Sequence, residues 1–407
     1  MTIGVGGSKP DAELALFDDM TPGIAPIGIK EYQQRISKAQ NLMRAEGIAA
    51  IYVNAGTNLY YFTGTRWGPS ERMVGAIIPA TGDLEYIAPA FEEATLKEYM
   101  AVSGRVNCWE EDESPYALFG LVLNGMGLEN SIVGIDEAAP FFVYDGIKQS
   151  NPGLQYCNAA QITAACRMIK SPAEIALMQR AKDITLAVHK RAARILRPGI
   201  STTEVEAFIH AAHKAAGVAT GSYFCIVLFG EATAYPHGVR NPQVLKNADM
   251  VLIDTGCQLE GYLSDITRSY VYGSISERQR QIWNLEKDAQ AAAFEAAQIG
   301  QPCGHVDSAA RKVLEAQGLG PDYRIPGLPH RTGHGIGLDI HEWPYLVRHE
   351  DTRLAEGMCF SNEPMICIPG EFGVRHEDHF YMTASGPRWF TQPAHSVDDP
   401  FGYESQS

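Results

Sequence analysis

The feature that most constrains this chain is a pair of aspartates inside one short apolar hairpin. Val251-Leu252-Ile253-Asp254-Thr255-Gly256 is answered by Tyr262-Leu263-Ser264-Asp265-Ile266-Thr267-Arg268. Leu259-Glu260-Gly261 lies midway, and Gly261 can take the positive φ of a tight turn. An antiparallel hairpin turning there sets Asp254 and Asp265 opposite or nearly opposite each other, with Cβ atoms about 5 Å apart. Two carboxylates that close repel unless a cation lies between them.

Three later pieces supply partners. They are His330-Arg331-Thr332-Gly333-His334-Gly335-Ile336-Gly337 running on to His341-Glu342-Trp343-Pro344, then Ser361-Asn362-Glu363-Pro364, then Val374-Arg375-His376-Glu377-Asp378. Any one piece is also compatible with an ordinary turn or a core carboxylate; all of them in this order point to a metal centre. Asp254, Asp265, Glu363 and Glu377 carry four negative charges, which two divalent cations balance, with His334 as a neutral ligand. A donor set rich in oxygen, with one imidazole and no thiolate, suits Mn²⁺ better than a structural zinc site, with Co²⁺ or Zn²⁺ as alternatives. Two such ions about 3.5–4 Å apart hold a hydroxide at neutral pH. Thr255 and Thr267 are placed to hydrogen-bond the carboxylates from behind. Alternation along the strand turns His376 away from them, and His330, in a glycine-broken segment, reads as structural or as a support behind the ligands.

This constellation resembles the metal-dependent "pita-bread" peptidases, among them Xaa-Pro dipeptidase (prolidase), Xaa-Pro aminopeptidase and methionine aminopeptidase. The likeness is detailed from about Ser171 to Phe380, looser before it, and nearest to bacterial Xaa-Pro dipeptidases. It implies metal ligation by Asp254, Asp265, His334, Glu363 and Glu377, with Asp265 and Glu377 bridging both ions, and Arg375 orienting the cluster. It implies attack by a metal-bridging hydroxide on an Xaa-Pro bond, with Glu363 as general base and then acid. His237, in Tyr235-Pro236-His237-Gly238, and His341 would hold the scissile carbonyl or the substrate carboxylate. Arg348 would bind the carboxylate of a terminal proline. Arg66, with Trp67, would reach the active site from the N-terminal domain, often that of a partner subunit, so a homodimer is implied. One departure stands out: Glu363-Pro364-Met365-Ile366-Cys367 puts Cys367 where the family usually has a tyrosine, and Glu-Pro-Met also resembles creatinase. Xaa-Pro aminopeptidase, creatinase-like or lyase chemistry, and a non-catalytic binding module are the alternatives. The module would be expected to lack metal ligands.

Length and composition bound the rest. The 407 residues suggest two or three domains, and 45% hydrophobic residues suffice for a large core. A net charge of −15 disfavours nucleic acid and anionic membrane as partners. Met1 to Gly23 carries acidic residues and lacks an apolar stretch, so no signal peptide is expected, and no run approaches the roughly 18 apolar residues of a membrane span. The eight cysteines form no CxxC and read as reduced, implying a cytoplasmic protein.

In chain order, residues 1–25 read as a tail or arm. An amphipathic helix from Ile29 carries Tyr32, Ile36, Ala39, Met43 and Ile48 at three-to-four spacing and stops at Gly47. Strands are expected at 49–53, 74–78, 84–87 and 131–135, with helices near 91–101, 115–125 and 139–149: an α/β domain over 1–168. Asn58-Leu59-Tyr60-Tyr61-Phe62-Thr63-Gly64 reads as a core strand ending in a turn. Ser171-Pro172-Ala173-Glu174 is a capping box opening a long helix, and Ser201 to Glu204 opens a second that ends near Gly217. A long helix from Ser276 to Ile299 and a shorter one ending near Gly318 repeat the plan. The segments 205–217 and 306–318 align without gaps, which suggests a duplicated αβ half within the catalytic domain, 169–407. The fold expected is therefore α/β (α+β), an N-terminal α/β domain followed by a pita-bread domain with pseudo-two-fold repeat.

Overall fold

The computed structural model describes residues 2–404, and its backbone clusters into two compact units, 26–167 and 2–25 with 168–404. The smaller unit is built on a six-stranded sheet. Its spatial order is Arg105–Trp109, Glu85–Pro89, Gly75–Pro79, Ala50–Asn54, Ile132–Ile135 and Gln155–Asn158. Ala50–Asn54 is buried at every position and pairs antiparallel with Gly75–Pro79 and parallel with Ile132–Ile135. A continuous apolar run is what a strand covered on both faces requires. Helix Ile29–Glu46 buries Tyr32, Ala39 and Met43, and Gly47 at φ 69° ends it by donating its N–H to the Met43 carbonyl.

The aromatic run after this strand corrects one expectation. Residues 57–63 form the helix Thr57–Thr63. Asn58, Leu59, Tyr61 and Phe62 are all buried, and helical spacing gathers them on one side where period-two alternation would split them. Asn58 donates to Asp136 Oδ1 at 2.8 Å and accepts from Arg167 at 3.0 Å. Packing and these buried hydrogen bonds override the β preference of the aromatic residues.

The larger unit repeats one plan twice, as the aligned segments implied. Helices Pro172–Arg194 and Thr202–Ala215 accompany the three-stranded sheet of Phe224–Phe229, Met250–Gly256 and Ile266–Val271. Helices Glu277–Ala296 and Cys303–Glu315 accompany a five-stranded sheet ordered Glu342–Leu346, Gly333–Gly335, Cys359–Asn362, Asp378–Thr383, Gly386–Trp389. Full capping boxes open three of these helices, at Ser171/Glu174, Ser201/Glu204 and Ser276/Gln279, each cap contributing about 1 kcal/mol. One apolar cluster runs from Val188 and Ile209 to Val251 and Tyr270, and a second from Trp283 and Val306 to Phe360 and Phe380. A bridge between Thr267 and Glu377 joins the two halves.

Residues 2–25 cluster with this unit and not with the residues that follow them. Thr2 donates to the Val271 carbonyl at 2.6 Å and Gly6 to the Ala193 carbonyl at 2.8 Å. Val5, Leu14 and Phe17 pack on the Val188 cluster. An apparently polar arm is held because its few apolar residues find a helix face and its backbone donors find carbonyls. No helix among the described residues is long and apolar enough to cross a membrane.

Candidate metal centre

The hairpin turns at Glu260 and Gly261, whose φ values of 49° and 87° are those of a two-residue type I′ turn. Leu259 pairs with Tyr262, and Asp254 with Thr267. The same register puts Asp265 across from Gly256, so Asp254 and Asp265 are diagonal neighbours on one face. Gly256 lies between them, and a Cβ there would come within 1.9 Å of the Ser264 carbonyl oxygen. Thr267 shares this face, whereas Thr255 is on the other.

Three other segments deliver side chains to the aspartates. His334 lies in strand Gly333–Gly335, Glu363 just after Cys359–Asn362, and Glu377 between Phe372–Arg375 and Asp378–Thr383. His334 Nε2 is 3.0 Å from Glu363 Oε1 and 3.8 Å from Asp265 Oδ2. Its Nδ1 lies 3.0 Å from the Gly335 carbonyl oxygen, which takes the Nδ1 hydrogen and leaves Nε2 free to ligate. Ser361 Oγ accepts the His334 N–H at 2.9 Å and donates to Glu363 Oε1 at 3.0 Å. Thr267 donates to Glu377 Oε2 at 2.8 Å, and Arg375 donates to both Thr267 Oγ1 and Asp254 Oδ2, at 3.1 and 2.6 Å.

The electrostatics are those of four carboxylates, three of them buried, facing one guanidinium. Burial, then repulsion from Glu377 and Asp254, pushes the Asp265 carboxyl well above its usual range. Burial, then Glu363 and Asp254, does the same to Glu377. Asp254 is also raised by burial, with Arg375 opposing. Burial would raise Glu363 too, but the hydrogen bond and charge of His334, with His330 and Arg375, hold it below its ordinary value. Asp254 Oδ1, Asp265 Oδ1 and Glu377 Oε1 are buried without a hydrogen-bond partner among the described residues. Ligand atoms of Asp265, His334 and Glu377 all lie within 4.8 Å of one another. Free buried oxygens, mutual repulsion and one oriented imidazole fit divalent cations.

The remaining expected residues fall in different places. His341 stands edge-to-face with His334 at 4.2 Å, and partial desolvation, then the charge of His334, pushes it down to about 4. His237 is exposed in the turn beyond Gly230–Ala234, and the preceding Pro236 carbonyl accepts from Arg375 at 3.3 Å. His330 Nδ1 lies 2.7 Å from the Arg331 carbonyl. His376 packs on Trp283 and Glu286, away from the ligands. Cys367 is buried, and burial pushes its thiol up to about 12. Arg66 lies in the smaller unit over the Tyr60 ring, and the Trp67 ring meets that of Tyr99. Arg348 pairs with Asp322 and lies by the Tyr323 ring.

Thr255 requires a correction. Its hydroxyl donates to the Phe224 carbonyl at 2.7 Å, because adjacent strand residues point to opposite faces. Sequence reasoning missed four further groups. Ser361 is one, although its alternation with Glu363 gave the signal. Lys182 is fully buried, donates to the Leu263 carbonyl at 3.1 Å, and is pushed down to about 8 by burial. His379 Nε2 is 3.3 Å from Glu377 Oε1. Arg268 donates to the Glu377 carbonyl at 2.9 Å while pairing with Asp378. The roles of Lys182, His379 and Arg268 depend on long-range packing that no local pattern announces.

Comparison with known proteins adds likenesses of family, sequence and structure. Residues 176–384 match the profile of "Metallopeptidase family M24", and residues 35–169 that of "Creatinase/Prolidase N-terminal domain". YkvY of Bacillus subtilis, provisionally named a dipeptidase, is 32% identical over 88% of this chain and 97% of its own. The Xaa-Pro dipeptidase of Pyrococcus furiosus is 30% identical over 88% of this chain and 98% of its own. The crystal structure of dipeptidase PepE from Mycobacterium ulcerans superposes with a TM-score of 0.85 at 31% identity, covering 92% of this chain and 99% of that one.

Proposed function

Since this chain belongs to metallopeptidase family M24, we propose that it is a dipeptidase that removes the residue before proline, using two divalent cations, with Mn²⁺ preferred. The observation that carries this reading is the set of buried carboxylates whose free oxygens converge beside His334. Asp254, Asp265, His334, Glu363 and Glu377 would hold the ions, with Asp265 and Glu377 serving both. When bound, the ions supply Lewis-acid character that makes water nucleophilic near neutral pH.

The protein's own groups do the rest. Glu363, kept ionised beside His334, takes the proton of the attacking water and delivers it to the prolyl nitrogen. That nitrogen belongs to a tertiary amide and cannot leave unprotonated. His341, neutral at pH 7, donates a hydrogen bond to the carbonyl oxygen as charge develops there; His237 assists from its turn. Ser361 and Thr267 fix Glu363 and Glu377, so that little reorganisation accompanies proton transfer. All eight cysteines are free, which supports work in a reducing cytoplasm, and we extend the reading to a homodimer whose Arg66 and Trp67 complete the site. The test is product analysis on Ala-Pro, Ala-Leu and Ala-Pro-Ala after chelation and Mn²⁺ addition. Metal-dependent cleavage favouring Ala-Pro is expected; equal activity without metal, or a preference for the tripeptide, would refute the assignment.

A further inference from the structure

We propose that Arg331 is the cation that grips the C-terminal carboxylate of the substrate, an inference that rests on the dipeptidase reading of the site. Each neighbour of Arg331 in the chain is tied down. Asp307 Oδ1 accepts from Thr332 N at 3.1 Å and from Thr332 Oγ1 at 2.8 Å. Arg311 donates to the His330 carbonyl at 2.5 Å. Asp307 and Arg311 themselves form a buried pair at 2.8 Å on helix Cys303–Glu315. The backbone that presents Arg331 is therefore fixed before any ligand arrives.

The side chain is placed by an aromatic platform. The Arg331 guanidinium lies 4.2 Å from the centroid of the Tyr345 ring, an arrangement that holds the planar fork while leaving its N–H edge available. Tyr345 is the cross-strand partner of His334, and directly opposed residues share a sheet face. Arg331 thus lies on the face that carries the candidate ligand His334.

Four nearby arginines already hold an anion and, among the described residues, Arg331 does not. Arg348 is engaged by Asp322, Arg375 by Asp254, Arg311 by Asp307 and Arg268 by Asp378. Arg331 has no carboxylate partner among the described residues. A pre-positioned guanidinium without a counter-ion, beside a hydrolytic centre, is matched to a bidentate carboxylate. This moves the carboxylate-binding role expected of Arg348 to Arg331.

The experiment compares each dipeptide with its own C-terminal amide, using Ala-Pro and Ala-Leu on Mn²⁺-loaded enzyme of measured metal content. Wild type should favour the free acid. Arg331→Ala should lower kcat/KM on the acid roughly ten- to hundredfold, mainly through KM, leave the amide nearly unchanged and keep the metal. Arg331→Lys should retain part of the preference, since charge remains but the fork does not. Arg348→Ala should keep the acid-to-amide ratio of wild type. Arg331→Ala slowing acid and amide equally, Arg348→Ala abolishing the ratio, or a wild type indifferent to the amide would each overturn the inference. The ratio is read on whichever dipeptide is cleaved faster. Better cleavage of Ala-Leu would therefore sink the proline preference while leaving the Arg331 assignment standing.

Discussion

Two groups of buried carboxylates in this protein behave oppositely, and they meet at the adjacent residues Glu377 and Asp378. Asp378 is fully buried and its charge is met by Arg268 at 2.6 Å, with Thr391 donating to it at 2.9 Å. Asp307 is likewise met by Arg311. Asp265 and Glu377 are almost as deeply buried, yet their free oxygens face one another's charge. Within the carboxylate cluster Arg375 pairs with Asp254 alone, and no guanidinium pairs with the side chain of Asp265 or Glu377 among the described residues. Burial of charge without a counter-ion costs several kcal/mol per group, so a fold that keeps such a cluster leaves a place for an ion from outside. The contrast between Asp378 and its neighbour Glu377 locates function more sharply than burial or acidity alone.

The largest effect expected from breaking this contrast is loss of catalysis. Asp265→Asn or Glu377→Gln should reduce hydrolysis to background while the chelated protein keeps or gains stability, because a repelling charge is removed. Thermal melts in EDTA beside peptide assays check this; a large loss of stability in EDTA would contradict it. Next is the compensated group. Asp378→Ala should destabilise the protein by about 3–5 kcal/mol, since Arg268 is left buried without its carboxylate; denaturant unfolding reads this directly.

A smaller effect distinguishes the two hairpin threonines. Thr267→Val removes the donor to Glu377 and should weaken metal affinity roughly ten- to hundredfold. Thr255→Val loses one hydrogen bond to Phe224, about 1 kcal/mol of stability, and should leave metal affinity alone. Equal effects on metal binding would mean that face alternation does not govern the site. The gentlest probe is pH. Asp265 and Glu377 have folded-state pKa values raised above the ordinary 3.8 and 4.5. Their stabilising contribution in the chelated protein is therefore complete below about pH 4 and is lost as pH rises through the raised values. Bound cations reverse this by favouring the ionised forms. The gap in Tm between loaded and chelated protein should widen from about pH 5 to pH 8; a constant gap would count against the uncompensated cluster.

Much of this was legible because it is local. The hairpin, its turn at Gly261 and the capping boxes at Ser171, Ser201 and Ser276 are each set by residues within a few positions of one another. The run at 57–63 was not legible, since Tyr60, Tyr61 and Phe62 favour strands in isolation while Asp136 and Arg167, far along the chain, hold Asn58 in a helix. The edge strands Arg105–Trp109 and Gln155–Asn158 were missed because both mix polar and partly exposed residues. Within the site, the five candidate ligands could be read from motif order. Which arginine has a partner and which has none could not, because Arg331 and Arg348 differ only in what the fold brings beside them.

The fold gathers buried negative charge beside His334, and the proposed function requires that two metal ions meet it. Calorimetric titration of chelated protein with Mn²⁺, with bound metal counted by mass spectrometry, tests it most directly. The account predicts two equivalents per chain with a rise in Tm, one retained equivalent in Asp254→Asn, and none in Asp265→Asn. A wild type that binds no stoichiometric metal, or two variants indistinguishable in their metal content, would contradict it.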